Sequence, residues 1–125
     1  MKKVVKTNHA PAPIGPYSQA IVSGNLMYVS GQIAIDPLTG GMIQDSIAAE
    51  TGRIMENIGA ILIEAGMDYA NIIKTSIFLT DLNDFAVVND TYGSYFSKDF
   101  PARETVEVSK LPKGARVEIS VVAAG

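Results

Sequence analysis

The spacing of apolar residues changes along the chain. In the first third, apolar residues fall in short β-type runs, at 2–7, 17–24 and 26–36. The dipeptide "GN" at 24–25 predicts a hairpin turn between the second and third runs. Three prolines between residues 8 and 16 predict an irregular loop after the first run. This part of the chain therefore predicts three strands.

From Asp45 onward the period becomes helical. Asp45 or Ser46 is the expected N-cap and Gly66 the expected C-terminal stop of a first helix. Its apolar stripe consists of Ile47, Ile54, Ile58, Ile61, Leu62 and Ala65.

The second half predicts a strand at 72–80 and a helix at 85–96, which Pro101 keeps from continuing. Alternating strands at roughly 103–109 and 115–123 follow. The order predicts an α+β class: a single domain over residues 1–125, with one mixed, mainly antiparallel sheet and two helices on one face. The apolar stripe of the second helix is Phe85, Val88, Tyr92 and Phe96.

Alternation in the last two strands predicts which side chains face the helices. If "SKLPKG" closes a hairpin, Thr105 faces Glu118, and Arg103 becomes the diagonal neighbour of Glu118 at about 7 Å between Cβ atoms. Both side chains would then lie on the helix-free face, where a small ligand or a water fits between them. The residues expected to point toward the helices are Val106, Val108, Val117, Ile119 and Val121; those expected to point away are Arg103, Thr105, Glu107, Arg116, Glu118 and Ser120.

Composition and charge narrow the function. The chain has no cysteine, which excludes disulfides, thiolate metal sites and a cysteine nucleophile. The net charge of −3 and the lack of a basic stripe argue against a nucleic-acid partner. No apolar run approaches the roughly 20 residues of a membrane-spanning helix, and the N-terminus lacks the apolar core of a signal peptide. We therefore expect a cytoplasmic protein with no membrane partner.

Two charged residues are the main candidates for chemistry. Arg103 is either a surface cation paired with Glu118 or Glu107, or a bidentate clamp for a carboxylate. Glu118 is either the cross-strand partner of that cation or a carboxylate that orients a water. His9 is the only histidine, and we expect it to be a surface residue rather than part of a triad or a zinc site.

Two further residues have two interpretations each. Gly31 either marks a bulge in its strand or lends its backbone N–H to a ligand. Tyr17 is either a core aromatic residue or a lid over a pocket. The glycines of the chain form neither G-x-G-x-x-G nor a P-loop, so the usual nucleotide cradle is absent.

The sequence resembles the Rid (YjgF-type) family, and within it the reactive intermediate deaminase A subgroup. The similarity runs nearly from end to end, and the last segment is the most specific because its Arg and Glu stand at the family's functional positions. The segments are "APAPIGPYSQA" (10–20), "VSGQIAIDPLTG" (29–40), "ENIGAILIEAG" (56–66), "KTSIFLTDLNDFAVVNDTY" (74–92) and "FPARETVEVSKLPKGARVEI" (100–119).

This resemblance implies a chorismate-mutase-like fold and a homotrimer with a central barrel, whose active sites lie between subunits. It also implies cofactor-free hydrolysis of 2-imino acids, derived from 2-aminoacrylate and 2-aminocrotonate, to 2-keto acids and ammonia. Arg103 would hold the substrate carboxylate with the help of the Gly31 N–H. Glu118 would orient the attacking water, and the backbone of Thr105 would bond near the imine. The remaining residues expected to line the cleft are Tyr17, Ser30 and Asn89.

Two residues depart from the family pattern. Thr105 stands where Cys is common, and Glu104 stands where a small Ser is common. Alternation predicts that Glu104 points toward the helices, near the rim or paired. Two other functions stay open: a regulatory trimer that binds a carboxylate ligand without turnover, and an RNA-cleaving translation inhibitor.

Overall fold

All six predicted strands and both predicted helices form. The computed structural model describes residues 1–125. The second helix ends at Gly93, three residues earlier than predicted, and neither helix is long and apolar enough to cross a membrane. The elements are β1 (Lys2–Val5), β2 (Ala20–Ser23), β3 (Leu26–Gln32), α1 (Ile47–Glu64), β4 (Ile72–Leu79), α2 (Phe85–Gly93), β5 (Ala102–Glu107) and β6 (Val117–Ala124).

The strands form one mixed sheet in the order β1-β2-β3-β6-β4-β5. Every neighbouring pair is antiparallel except β4 and β5, which run parallel. Helix α2 is the crossover that a parallel pair requires. The α+β class with a mixed sheet and two helices is confirmed.

Helix α1 begins and ends where local chemistry dictates. The Ser46 hydroxyl accepts a hydrogen bond from the backbone N–H of Ala49 at 3.0 Å, so Ser46 is the N-cap. At the other end Gly66 takes a φ of +74°, and the Met67 N–H returns to the Leu62 carbonyl at 2.9 Å. Both predicted helix signals are therefore confirmed.

The core lies between the two helices and one face of the sheet. Ile54 and Ile58 of α1 and Val88 of α2 are buried in the same apolar cluster as Val117 and Ile119 of β6. The alternation predicted for β6 is confirmed, because its other residues are only half-buried on the opposite face. We call that opposite side the helix-free face.

The predicted hairpin between the last two strands is wrong. Strand β4 lies between β5 and β6, with Thr75 pairing with Arg103 on one side and with Val121 on the other. Thr75 and Val121 are buried against the helices, and paired residues share a face of the sheet. Arg103 and Thr105 therefore lie on the helix side, whereas Glu118 lies on the helix-free face.

The same register reverses the prediction for the other residues of β5. Glu104 and Val106 lie on the helix-free face, where Val106 is exposed. Glu104 forms an ion pair with Lys74 at 2.9 Å and accepts a hydrogen bond from the Ser76 hydroxyl. The Ser76 hydrogen bond, followed by Lys74, lowers the pKa of Glu104. The prediction that Glu104 is paired is therefore confirmed, but the prediction that it points toward the helices is wrong.

A buried ion pair joins α1 to the start of β6. The Glu50 side chain is fully buried and accepts hydrogen bonds from both the backbone N–H and the Nε of Arg116, each at 2.8 Å. Arg116 Nη2 also donates to the Gln44 carbonyl at 2.9 Å. Arg116 therefore reaches back toward α1 instead of pointing away from the helices, since its partner carboxylate is buried there.

We expect Glu50→Ala to lower the free energy of unfolding by about 2–4 kcal/mol, because it leaves a guanidinium and a backbone N–H without their acceptor. The lower end reflects the solvent contact that Arg116 keeps. Chemical denaturation measures the change. Glu64→Ala, at an exposed position of the same helix, is the matched control and should change stability little. Equal stability of the two variants would contradict this role for Glu50.

Candidate active site

Arg103 lies in a groove between α2 and the edge strand β5. The groove encloses about 340 Å³. The guanidinium carbon of Arg103 is 5.2 Å from the ring centroid of Tyr92 and 5.6 Å from that of Phe85. The residues that line this Arg103 groove are Asn89, Tyr92, Gly93, Phe100, Pro101 and Arg103 itself.

Arg103 has no anionic partner within the chain. The two ion pairs of the structure are Lys74–Glu104 and Arg116–Glu50, and the guanidinium of Arg103 makes no hydrogen bond. Of the two interpretations of Arg103, the surface ion pair with Glu118 or Glu107 is therefore wrong. A half-buried cation without a counterion is the feature expected of an anion-binding residue.

Thr105 follows Arg103 on the same side of β5. Its hydroxyl is buried and has no hydrogen-bond partner. Strand β5 pairs only with β4, so the outward backbone groups of this edge strand belong to no ladder. A ligand at this edge could therefore meet backbone donors and acceptors of β5 beside the Arg103 side chain.

Glu118 lines a separate pocket of about 160 Å³ on the helix-free side. The proline-rich loop covers this Glu118 pocket, with Ile14 and Tyr17 among the lining residues. Burial raises the pKa of Glu118, because the pocket removes water that would solvate the carboxylate. A carboxylate with a raised pKa is better able to accept a proton and release it again.

Gly31 lies directly against Glu118. The pairing of β3 with β6 shifts between Val29 and Gln32, so Gly31 is part of a bulge, as one of its two interpretations predicted. A Cβ on Gly31 would stand 2.9 Å from the carboxyl carbon of Glu118. The absence of a side chain therefore makes room for the carboxylate. The other interpretation, a contact between the Gly31 N–H and a ligand, stays a prediction.

Ser30 anchors the end of the proline-rich loop, and Tyr17 covers the Glu118 pocket. The Ser30 hydroxyl donates to the Ser18 carbonyl at 2.6 Å, so this side chain is engaged within the chain. Tyr17 is 48% exposed, and its hydroxyl accepts a hydrogen bond from the Ile14 N–H at 3.3 Å. Of the two interpretations of Tyr17, the position fits a lid and not a core residue.

Gln19 is a residue that the sequence reasoning missed. It is buried, and its amide oxygen accepts from the Thr7 N–H at 2.8 Å while its nitrogen donates to the carbonyls of Thr7 and Pro11 at 3.0 and 2.9 Å. Because proline has no backbone N–H, a proline-rich loop needs donors from elsewhere for its carbonyls. An amide side chain close to such a loop in the sequence was the signal that could have indicated Gln19. Gln19 fixes the loop that carries Tyr17.

The structure thus divides the candidate residues between two places. Arg103 and Glu118 are not diagonal neighbours, because the strand between them puts them on opposite faces. No group of three His, Asp or Glu side chains is arranged to hold a metal ion anywhere in the structure. The Arg103 groove has Asn89 and Arg103, with Thr105 nearby on β5; the Glu118 pocket has Tyr17, Gly31 and Glu118, with Ser30 beside it.

Comparison with known protein families adds independent information. The family model described as "Endoribonuclease L-PSP" matches residues 7–125. The chain is 49% identical to the RutC family protein PH0854 of Pyrococcus horikoshii, over 98% of each chain. It is 46% identical to the 2-iminobutanoate/2-iminopropanoate deaminase of Bos taurus, over 98% of this chain and 90% of that protein.

A solved structure from Yersinia pestis is similar over its whole length. It is described as a protein of unknown function of the conserved Rid protein family, YyfA. It is 49% identical to this chain, covers 100% of both chains and superposes with a TM-score of 0.97. The fold described above is therefore the fold of that structure.

The raised pKa of Glu118 predicts how a substitution changes stability with pH. Because the folded pKa lies above the unfolded one, the folded state binds more protons than the unfolded state between the two values. The contribution of Glu118 to stability is therefore greatest at low pH and declines as the pH rises through the folded pKa. Glu118→Gln should become more stable relative to the wild type as the pH rises from about 4 to about 8, as measured by thermal unfolding. A difference that stays constant with pH would contradict this.

Proposed function

This chain belongs to the Rid family, which the Endoribonuclease L-PSP model describes, and we propose that it is a deaminase that hydrolyses 2-imino acids to 2-keto acids and ammonia. The observation that carries the proposal is the half-buried guanidinium of Arg103, which has no anionic partner within the chain. A guanidinium binds a carboxylate through two parallel N–H···O bonds. The name of the cattle relative supports an imine substrate of this kind.

Arg103 and Glu118 can act on one substrate only if a second copy of the chain brings them together. We propose a homotrimer with active sites between subunits, as the family resemblance implies. Apolar side chains on the helix-free face support an assembly that covers this face, since Val4, Tyr28 and Val106 are 56%, 50% and 42% exposed there. In such a site the Arg103 groove of one copy faces the Glu118 pocket of another.

The proposed reaction needs few parts. Arg103, helped by the Gly31 N–H, binds the carboxylate and fixes the adjacent C=N bond, which is electrophilic when protonated. Glu118 orients a water and takes its proton as the oxygen bonds to C2. That proton then passes to the nitrogen. The C–N bond breaks and ammonia leaves, while Glu118 takes the remaining hydroxyl proton and the C=O of the keto acid forms. The backbone of Thr105 would bond near the imine nitrogen, and Tyr17, Ser30 and Asn89 would line the cleft.

Water and the protein's own groups supply every atom and proton in this scheme, so we propose that the reaction uses no cofactor. The name of the cattle relative gives imines with side chains of one carbon, in 2-iminopropanoate, and two carbons, in 2-iminobutanoate. The pocket beside Glu118 encloses only about 160 Å³, which favours such small side chains. In the cytoplasm such an enzyme would remove the reactive enamines and imines that pyridoxal-phosphate enzymes release.

Glu118 supports an enzyme over a regulatory carboxylate-binding trimer. A protein that only bound a carboxylate would gain nothing from a second, half-buried carboxylate at the site. The endoribonuclease named in the family description finds less support in this chain. Its net charge is −3, and His9, the only histidine, is exposed and lines neither the Arg103 groove nor the Glu118 pocket.

A dehydratase-coupled assay tests the proposed activity. Threonine dehydratase generates the enamine, and the early rate of 2-ketobutanoate formation is followed with and without this protein. We expect the wild type to accelerate that rate, and Arg103→Ala or Arg103→Lys to lose about 100-fold or more of the acceleration, since neither side chain offers the bidentate fork.

Lys110→Ala is the matched control, because it removes an exposed cation near β5 that lies outside both pockets. It should keep the wild-type rate. Arg103→Ala with near-wild-type activity would contradict the role of Arg103, and a wild type that gives only the spontaneous rate would contradict the deaminase activity itself.

A further inference from the structure

The guanidinium of Arg103 lies beside two aromatic rings and forms no ion pair or hydrogen bond within the chain. We propose that Phe85 and Tyr92 form an aromatic cradle that positions Arg103 for its anionic ligand. The inference rests on the proposed function in taking that ligand to be the carboxylate of the 2-imino or 2-keto acid. The centroid distances of 5.2 Å and 5.6 Å are both within the range of a cation–π interaction.

Tyr92 is the fixed part of the cradle. Its side chain is 4% exposed, and its hydroxyl donates to the Thr75 hydroxyl at 2.9 Å. Thr75 is the residue of β4 that pairs with Arg103 of β5. The strand pairing therefore sets the ring and the guanidinium relative to one another. Burial raises the pKa of Tyr92, so the phenol stays protonated and keeps this hydrogen bond near neutral pH.

Phe85 is the more accessible part of the cradle. It is the first residue of α2 and is 41% exposed, so its ring lies near Arg103 and is also in contact with solvent. Since Phe85 is not a core residue, it can be changed with a smaller effect on folding than Tyr92. The helical spacing of the sequence predicts both rings only as part of the apolar stripe of the second helix.

The acidic residues of β5 are kept away from Arg103. Glu104 is on the opposite face with Lys74 and Ser76. The carboxylate of Glu107, on the same side as Arg103, accepts a hydrogen bond from the Leu82 N–H at 2.9 Å. Neither carboxylate neutralises the guanidinium, and aromatic faces cannot occupy its N–H donors. The cradle thus orients Arg103 while all five N–H groups stay available to a ligand.

This role predicts a dependence on the electrostatics of the ring and not on its shape. Stepwise fluorination of phenylalanine weakens the negative face of the ring with little change in size. We therefore propose replacing Phe85 with monofluoro-, trifluoro- and pentafluorophenylalanine by site-specific incorporation. The probe is 2-ketobutanoate, the proposed product, whose binding needs Arg103 but no chemistry.

The affinity for 2-ketobutanoate, measured by calorimetry, should fall stepwise along the series, by about two- to five-fold in total. Val87→Ala, at an exposed position of the same helix, is the matched control and should bind as the wild type does. A second readout is the rigidity of the Arg103 side chain, measured as the NMR order parameter of its Nε. The chain has three arginines, so the Arg103 signal can be assigned by its loss in Arg103→Lys.

A stepwise fall in both the affinity and the order parameter supports the cradle. A flat series, with 2-ketobutanoate binding still lost in Arg103→Ala, overturns the cradle and leaves the proposed deaminase intact. If Arg103→Ala binds 2-ketobutanoate as well as the wild type, the proposal that Arg103 binds the substrate carboxylate is contradicted. The order parameter then decides alone: a stepwise fall still supports the cradle, and a constant value overturns it.

Discussion

The parallel pairing of β4 with β5 is the constraint on which the arrangement of the candidate site depends. Helix α2 carries the chain across the sheet, so β5 joins the far side of β4 instead of returning to β6. One strand therefore separates Arg103 from Glu118, and the register places them on opposite faces. A site that uses both residues has to be completed by another copy of the chain.

The charges of the molecule are arranged consistently with that constraint. Glu50 engages Arg116, and Lys74 engages Glu104, so these four residues are paired within the chain. The guanidinium of Arg103 lies beside two aromatic rings and has no anionic partner, and Glu118 is half-buried with no cation to stabilise it. Both arrangements lower the stability of a single copy of the chain, as is common where a site is preorganised for binding. A bound carboxylate would supply the missing partner of Arg103.

Much of the fold could be predicted from the sequence because its signals are local. The Ser46 cap, the Gly66 stop and the alternation of β6 each depend on neighbouring residues, and all were confirmed. Strand pairing is not local, and alternation in β5 suggested the wrong face because Val106 is apolar but lies on the helix-free side. The strand–helix–strand order from β4 to β5 was the signal for a parallel crossover.

The sequence suggested candidate residues for a site but not their arrangement in space. Five of the residues that the family resemblance selected line one of the two pockets, whereas Ser30 and Thr105 lie beside them. The predicted hairpin wrongly put Arg103 and Glu118 together in one chain. Phe85 and Tyr92 were predicted only as members of an apolar stripe, and Gln19 was not singled out, since neither a ring on such a stripe nor an amide in a loop has a spacing that indicates its role. The catalytic roles of the selected residues stay predictions.

Subunit complementation tests the central claim, that Arg103 of one copy acts with Glu118 of another. Arg103→Ala and Glu118→Ala chains, each inactive alone, are unfolded together in equal amounts and refolded. Random mixing should restore about a quarter of the wild-type activity, because one site in four combines an intact Arg103 with an intact Glu118. A mixture as inactive as either variant, in assemblies shown to contain both chains, would contradict the claim.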